Sequence, residues 1–318
     1  MNNRRKITEG AVLLALFSIM LLMAFYLPFL GAILFFFLPV PFILISSKYE
    51  ASWSFGFLFI ALILSAILST VFSLPMTLIT GLTGITIGYM LRKEKPAVTV
   101  FMSSFLVLLA GIIAVYGLSI WLFQMNFIEQ AIEMFKKSVA QAADFAAALG
   151  QAADDKVIKQ LLEAADMIEV LLPSILVLTS AFMLFLFLLA AHPFVKRFSD
   201  KKIAWPRFKD IQLPKSLLWY YLITMLATYM LMPEKSSFLY MVIGNLLAIL
   251  QVLMLLQGYS LIFFLSHIKK WPRGVPIAIL VITLILPSPL FQSIIRILGI
   301  VDLGFPLRTH LEKGSNQS

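Results

Sequence analysis

The chain has 318 residues, of which 61% are hydrophobic and 13% are charged, and its mean hydropathy is +0.96. No soluble fold of this length buries so much apolar surface, so the composition excludes a soluble protein and indicates a membrane protein. The formal net charge of +9 is explained by basic cytoplasmic loops, so no nucleic-acid partner is predicted from it. The absence of cysteine excludes disulfides, thiolate nucleophiles and cysteine-bound metal.

Nine apolar segments follow one another along the chain. They are continuous rather than alternating, which favours helices over the strands of a membrane barrel. Several reach the ~20 residues that cross ~30 Å of hydrocarbon. The sequence therefore predicts an all-α, polytopic transmembrane bundle of about 8–9 spans, with a retained first span. The segments cover residues 11–27, 29–46, 53–73, 76–91, 97–123, 171–191, 217–233, 237–266 and 275–300.

Basic residues concentrate in alternate connections between these segments. They account for 17 of the 25 lysines and arginines, as expected if those connections face the cytoplasm. The N-terminus is therefore predicted to be cytoplasmic. The basic positions are Arg4, Arg5 and Lys6; Lys48; Arg92, Lys93 and Lys95; six residues of 196–210 with Lys215; and Lys269, Lys270 and Arg273.

Residues 126–169 are polar, with eight acidic residues and four lysines, and the number of preceding spans places them outside the cytoplasm. GQAADD at 150–155 supplies a break and an N-cap between two helical seams. We expect an antiparallel hairpin whose eleven alanines allow close packing. Its role is open between a spacer, a lid over an outward cavity and a partner surface. The seams are Ile128, Ile132, Phe135, Val139, Ala142, Ala146 and Leu149, then Ile158, Leu161, Ala165, Ile168 and Leu172.

The chain divides into three predicted parts. Residues 1–191 form a six-span membrane domain that includes the insert 126–169. Residues 192–216 form a basic cytoplasmic connector with seven basic residues against two aspartates. Residues 217–318 form a C-terminal membrane domain of 2–3 spans. PSP at 287–289 splits its last segment into runs of about 12 residues, or ~18 Å of helix each. Three interpretations are open: one kinked span, a re-entrant hairpin, and a short span followed by an interfacial helix carrying Arg296, which is the favoured one.

The spans offer no catalytic constellation and no metal-ligating set, so no enzyme, cofactor or metal is predicted. In the fourth segment Gly81, Gly84 and Gly88 make a smooth face for close helix packing. In the eighth, Asn245 and Gln251 carry uncharged amides that need partners in hydrocarbon. Two interpretations stay open for these amides, helix–helix hydrogen bonding and contact with a ligand.

Three charged residues lie near the end of the last segment. Arg296, Asp302 and Arg308 are predicted to sit near one membrane surface. Either they form an ordinary ion pair with headgroup contacts, or they tether a partner or the outer hairpin.

The start of the chain, TEGAVLLALFSI, places Ala11 and Ala15 four residues apart on the first helix. This helix resembles the first helix of the substrate-binding S components of energy-coupling factor (ECF) transporters. The resemblance implies that Ala11 and Ala15 contact a separate coupling subunit, which works with ATPase subunits. It also implies that residues 1–191 hold a small ligand toward the outer face.

The whole arrangement resembles the YybS-type family of bacterial multi-pass membrane proteins. The likeness rests on the number of spans, the polar helical insert and the ending LGIVDLGFPLR, with Gly299, Asp302 and Arg308. It implies a plasma-membrane protein of a Gram-positive bacterium, with no established activity and with distant similarity to S components.

These observations lead to two functional hypotheses. The first is a substrate-binding or transport-associated membrane component for a small, largely uncharged ligand, with Asn245 and Gln251 at the polar site. The alternative is a membrane scaffold or regulator that organises partner proteins through residues 192–216 without transporting anything.

Overall fold

The computed structural model describes residues 3–124, 126–149, 155–199, 201, 203, 207–234, 237–286, 288–305, 307–308 and 311. These residues are organised as helices α1 to α13, with short 3₁₀ turns at Phe35–Phe37 and Phe208–Asp210. The α-helices are α1 Asn3–Tyr26, α2 Pro28–Leu34, α3 Val40–Lys48, α4 Ala51–Leu68, α5 Ser73–Arg92, α6 Ala97–Phe123, α7 Phe127–Ala148, α8 Asp155–Val170, α9 Leu172–Phe198, α10 Ser216–Leu231, α11 Phe238–Ile268, α12 Gly274–Ile285 and α13 Pro289–Gly304.

The apolar helices confirm the predicted all-α, polytopic bundle. Within the described residues, seven segments are long and apolar enough to cross a membrane, and α10 and α12 are shorter apolar helices. The second of these segments, Pro28–Lys48, is interrupted by the first 3₁₀ turn, next to Pro39 and Pro41. Proline lacks the backbone N–H that a continuous helix needs, which explains the interruption.

The last apolar segment is divided as predicted. Helix α12 ends at Ile285 and α13 begins at Pro289, with Ser288 in extended conformation between them. Helix α13 places its polar and apolar residues on different faces, and Ile295, Gly299, Asp302 and Leu303 are buried. Whether α13 lies in a membrane interface stays a prediction.

The chain forms two compact units. Unit 1 contains residues 1–131 and 176–205, and unit 2 contains residues 132–175 and 206–318. Most of the polar insert thus groups with the C-terminal helices by contact. The functional boundaries drawn at residues 191 and 216 stay a prediction, and α9 continues through Pro193 to Phe198.

Unit 1 is built around the contact of α3 with α5. Gly81, Gly84 and Gly88 face α3, which confirms the predicted packing face. A Cβ on Gly84 would lie 2.7 Å from the backbone oxygen of Pro39, too close for any side chain. The two helices can approach closely only because these positions carry no side chain.

In unit 2, glycines allow the same close approach between α11 and α13. A Cβ on Gly258 would collide with the backbone of Ile295, and one on Gly299 would lie 2.9 Å from the backbone nitrogen of Gly258. Around this contact lies a small core of Leu218, Leu250, Met254 and Leu303. Within each unit, close backbone contact between two helices therefore stabilises the fold.

The insert contains the two predicted helices, α7 and α8, but their alanines do not produce close packing. No residue of α7 is buried, and in α8 only Ala165 is buried. Phe135 and Leu161 of the predicted seams remain about 40% exposed. An ion pair at 2.5 Å links Lys136 to Asp166. An alanine methyl buries little apolar area, so it contributes little driving force for packing. The predicted break and N-cap at 150–154 lie outside the described residues.

Candidate functional site

A buried ion pair lies at the C-terminal end of α13 in unit 2. The Arg308 guanidinium donates to both carboxylate oxygens of Asp302, through Nε at 3.0 and 3.1 Å and through Nη2 at 2.6 Å. The side chain of Asp302 is fully buried and that of Arg308 is 8% exposed. Gln257 of α11 also donates to the carboxylate. A buried carboxylate needs such charge-assisted partners, and here it has them.

Arg308 extends this cluster to neighbouring segments. Its Nη1 donates to the backbone oxygen of Lys209 at 2.7 Å, and its Nη2 donates to the Ser260 hydroxyl at 3.2 Å. The guanidinium also lies over the ring of Phe264, 5.0 Å from the centroid. A planar cation with several donors can make all these contacts at once, which a lysine could not.

Helix α11 also holds the segment before α10 by hydrogen bonds. The Gln257 carbonyl accepts from the Leu213 backbone N–H at 3.0 Å. The Ser260 hydroxyl lies 2.9 Å from the backbone oxygen of Phe208 and 2.7 Å from that of Ile211, and donates to one of them at a time. These bonds satisfy backbone groups in and just after the short 3₁₀ turn at Phe208–Asp210.

Of the three charged residues predicted together, the structure joins Asp302 and Arg308 but not Arg296. Arg296 donates to the Ser293 hydroxyl, one turn earlier on α13, at 3.1 Å. The sequence identified two members of the cluster, Asp302 and Arg308. It gave no sign of Ser260, Phe264 or Lys209, since serine and phenylalanine are ordinary in apolar helices.

The Asn245 amide hydrogen-bonds to three backbone groups within unit 2. Its carbonyl accepts from the Ser174 backbone N–H at 2.7 Å, and its NH₂ donates to the backbone oxygens of Val170 and Met241 at 2.7 and 2.8 Å. These bonds tie α11 to the junction of α8 and α9 and use both amide protons. Gln251, one and a half turns along α11, is half-buried. A ligand role for either residue stays a prediction.

A second polar cluster surrounds Glu9 in unit 1. The carboxylate accepts from Arg5 Nε at 3.0 Å, Lys48 Nζ at 3.0 Å and the Tyr49 hydroxyl at 2.9 Å. Burial and the nearby Glu9 carboxylate raise the pKa of Tyr49 to about 12, so its hydroxyl stays protonated and donates at neutral pH. Arg92 donates to the Tyr49 backbone oxygen. This cluster was not predicted from the sequence, although an acid between a basic N-terminus and an apolar run was a visible signal.

Ala11 and Ala15 lie on the exposed face of α1, the face that does not pack against the rest of unit 1. Both are exposed, whereas Gly10, Phe17 and Leu21 of the same helix are buried. The exposed face also carries Ile7, Val12, Leu16 and Ile19. Because alanine side chains are small, this exposed face would allow a second helix to approach closely at these two positions.

An open cleft of about 940 Å³ lies at the end of α11 in unit 2. It is lined by the last turns of α11, the turn to α12, the start of α12 and residues 207–209. Among the described residues, no group of three or more histidines, aspartates or glutamates could hold a metal ion.

Seven long apolar segments among the described residues, with polar clusters in both units, define a polytopic α-helical integral membrane protein. The chain belongs to the family described as "Predicted membrane protein (DUF2232)", whose model matches residues 15–303. It is similar to "Uncharacterized protein YybS" of Bacillus subtilis (strain 168), with 29% identity over 313 residues, 98% of this chain and 100% of that protein. The resemblance to the YybS-type family is thus confirmed. No solved structure matches the chain.

Proposed function

We propose that the protein is a non-enzymatic, transport-associated component of a bacterial plasma membrane that works with a separate membrane partner. The proposal rests on the exposure of Ala11 and Ala15 on α1, together with the resemblance of this helix to the first helix of S components. In a bilayer, helices associate through close packing of small residues, whereas a helix face that contacts only lipid does not require small residues. The partner is a transmembrane coupling subunit, and since the sequence shows no nucleotide-binding motif, separate ATPases would drive any active transport.

The proposed topology places the N-terminus in the cytoplasm and residues 126–169 outside. Its support is the basic character of alternate connections, which includes Lys48, Arg92 and Lys196 at the ends of α3, α5 and α9. Because the chain has no cysteine, single cysteines report the side of the membrane directly. Ala148→Cys should react with an impermeant maleimide in whole cells and Lys201→Cys should not. The reverse pattern would overturn the topology.

The partner is tested by affinity purification of the full chain from its native membrane. The variant Ala11→Leu/Ala15→Leu places bulky side chains at these two positions and should lose the coupling subunit and the ATPases. The matched control is Ala110→Leu/Ala114→Leu, since these alanines have the same spacing and are also exposed, on α6. Loss in both variants, or in neither, would argue against docking on α1.

The ligand of this component is proposed to be small and largely uncharged, because the spans carry few ionisable side chains that could hold a charged one. Its predicted contacts are Asn245 and Gln251. A ligand that binds the folded protein raises its thermal unfolding midpoint by mass action. A screen of small uncharged compounds against wild type and Gln251→Leu would show stabilisation of the wild type alone if Gln251 contacts the ligand.

A second candidate function is a membrane scaffold or regulator. It is favoured by the exposed cations Lys196 and Arg197 at the end of α9, which open the basic connector 192–216. A basic surface of this kind attracts acidic partners or anionic lipid. Replacing Lys196 and Arg197 by glutamine should release a scaffolded protein during purification. A transport component should keep its partner under the same change.

A further inference from the structure

The cleft at the end of α11 is lined by cations without a matching acid. Arg207, Lys209, Lys270 and Arg273 line it, and none of its described lining residues is acidic. Lys209 lies 3.8 Å from the carboxylate of Asp210, outside the lining. No described residue forms an ion pair with the other three cations. A concave surface lined by one sign of charge concentrates its field and attracts an anion.

The backbone of Lys270 gives a second reason to connect this cleft with a ligand. Its φ is +53°, in the left-handed region that favours glycine. The N–H of Trp271 donates to the Ser266 oxygen at 2.9 Å, and that of Lys270 to the His267 oxygen at 3.3 Å. This is the helix ending at which glycine is usual, so a lysine here places a charge at a position where the backbone prefers no side chain.

The walls of the cleft are held by the buried cluster already described. Phe264 forms part of one wall and lies under the Arg308 guanidinium. Phe208 also lines the cleft and packs edge-on against Phe263, with ring centroids 5.1 Å apart. Because Arg308 also bonds the backbone of Lys209, the basic segment is fixed before any ligand arrives. Such preorganisation lowers the entropic cost of binding.

The position of the cleft identifies the ligand as a lipid. Helix α11 is an apolar candidate span that ends at Ile268, so the cleft begins where the span ends and phospholipid headgroups lie. Trp271, 41% exposed, is a residue type enriched at this depth. Pro276 and Ile277, in the first turn of the apolar helix α12, also line the cleft and give acyl chains an apolar surface. Basic pockets between membrane helices commonly bind phosphate headgroups.

We propose that this cleft binds the phosphate group of an anionic phospholipid. Lys270 and Arg273 act as direct phosphate ligands, through charge-assisted hydrogen bonds. Asp302 and Arg308 act as positioning residues, since they hold the wall and do not line the cleft. This proposal is independent of a partner on α1.

The test compares two double variants of the full chain in detergent micelles. Lys270→Gly/Arg273→Gln removes two cations from the cleft, and glycine suits the left-handed backbone, so the helix ending is preserved. Lys93→Gln/Lys95→Gln removes two cations from the α5–α6 turn and controls for general surface charge. Native mass spectrometry measures the retention of dioleoyl phosphatidylglycerol, dioleoyl phosphatidylcholine and inorganic pyrophosphate, and thermal unfolding checks folding.

The expected result is that wild type retains phosphatidylglycerol in preference to phosphatidylcholine. The cleft variant should bind phosphatidylglycerol about tenfold more weakly or worse, and the control variant within about twofold of wild type. Equal weakening in both variants would mean general electrostatic attraction and would overturn the site. If inorganic pyrophosphate binds as tightly as phosphatidylglycerol, the cleft recognises phosphate without a lipid, and the assignment of a lipid ligand would be overturned. Retention of phosphatidylglycerol unchanged in a folded cleft variant would overturn the proposal as a whole.

Discussion

Glu9 in unit 1 and Asp302 in unit 2 are carboxylates of the same chemistry in different surroundings. The side chain of Glu9 is 25% exposed and accepts from two cations and a tyrosine. That of Asp302 is fully buried and depends on Arg308 and Gln257. Water can solvate the partners of Glu9 if the carboxylate is lost, whereas it cannot reach Arg308. The comparison teaches that the free energy of unfolding lost when one partner of an ion pair is removed depends on the burial of the pair, not on its number of hydrogen bonds.

The largest expected effect comes from breaking the buried pair. Asp302→Ala should lower the free energy of unfolding by about 3–5 kcal/mol, because it leaves the Arg308 cation buried without a counter-charge. Glu9→Ala is the matched change in unit 1 and should cost about 1 kcal/mol or less. Chemical unfolding of the full chain in micelles, followed by helical circular dichroism, measures both. Equal losses would contradict the comparison.

A double variant sharpens the same point. Asp302→Leu/Arg308→Leu removes both charges together and should be more stable than Asp302→Ala alone, since no buried charge is left unpaired. If the double variant is the less stable of the two, the pair itself, rather than the unpaired cation, would account for the loss.

Close backbone packing should show no such difference between the units. Gly84→Ala in unit 1 and Gly258→Ala in unit 2 each place a Cβ against backbone and should cost about 1–3 kcal/mol. Gly56→Ala on α4 is the control, because a Cβ there meets nothing within 4 Å. It should be neutral or stabilising by about 0.5–1 kcal/mol, as alanine is the better helix former. Thermal unfolding midpoints of the four proteins would decide, and a destabilised Gly56→Ala would undermine the steric explanation.

Asn245 and Gln251, the two amides singled out on α11, should differ, in the same kind of measurement, in how much each contributes to the free energy of unfolding. Asn245→Leu removes three hydrogen bonds and should cost about 1–3 kcal/mol, because the Ser174 N–H and two backbone oxygens lose their partner. Gln251→Leu should change stability by less than about 0.5 kcal/mol. A large loss at Gln251 and none at Asn245 would reverse this assignment of roles.

The smallest expected effect concerns the exposed turn after α5. Lys201 donates to Glu94 and lowers the pKa of that carboxylate from its ordinary value of 4.5. A carboxyl group with a lowered pKa stabilises the fold fully above 4.5, and this contribution is lost as pH falls through the lower, folded value. The difference in unfolding midpoint between wild type and Glu94→Gln should therefore be present at pH 7 and vanish in acid. A difference that persists unchanged at low pH would exclude the pair as its cause.

The helices were predictable from the sequence because each depends on local information. Runs of apolar residues defined every span, and the spacing of Gly81, Gly84 and Gly88 identified the α5 face that packs on α3. The proline pair PSP identified the division between α12 and α13. Each of these signals acts within one helix or at its ends.

The polar clusters were only partly predictable because they join residues far apart in the chain. Asp302 and Arg308 are six residues apart and were found, but Lys209 lies 99 residues from Arg308. The partners of Glu9 at Lys48 and Tyr49 likewise come from another helix end. Charge and hydropathy along one segment carry no information about which distant segment will meet it. The alanines of α7 and α8 were misleading for the converse reason, since small size permits packing without driving it.

The central claim, a partner on the outer face of α1, is tested most directly by cross-linking in native membranes. Since the chain has no cysteine, Ala15→Cys and Ala114→Cys each introduce a single thiol, on α1 and on α6. A maleimide–benzophenone attached to each thiol and then photoactivated, which inserts into C–H bonds and needs no thiol on the partner, should join Ala15→Cys to a second membrane protein and leave Ala114→Cys without a protein adduct. No adduct at Ala15→Cys, or the same adduct at both positions, would contradict docking on α1.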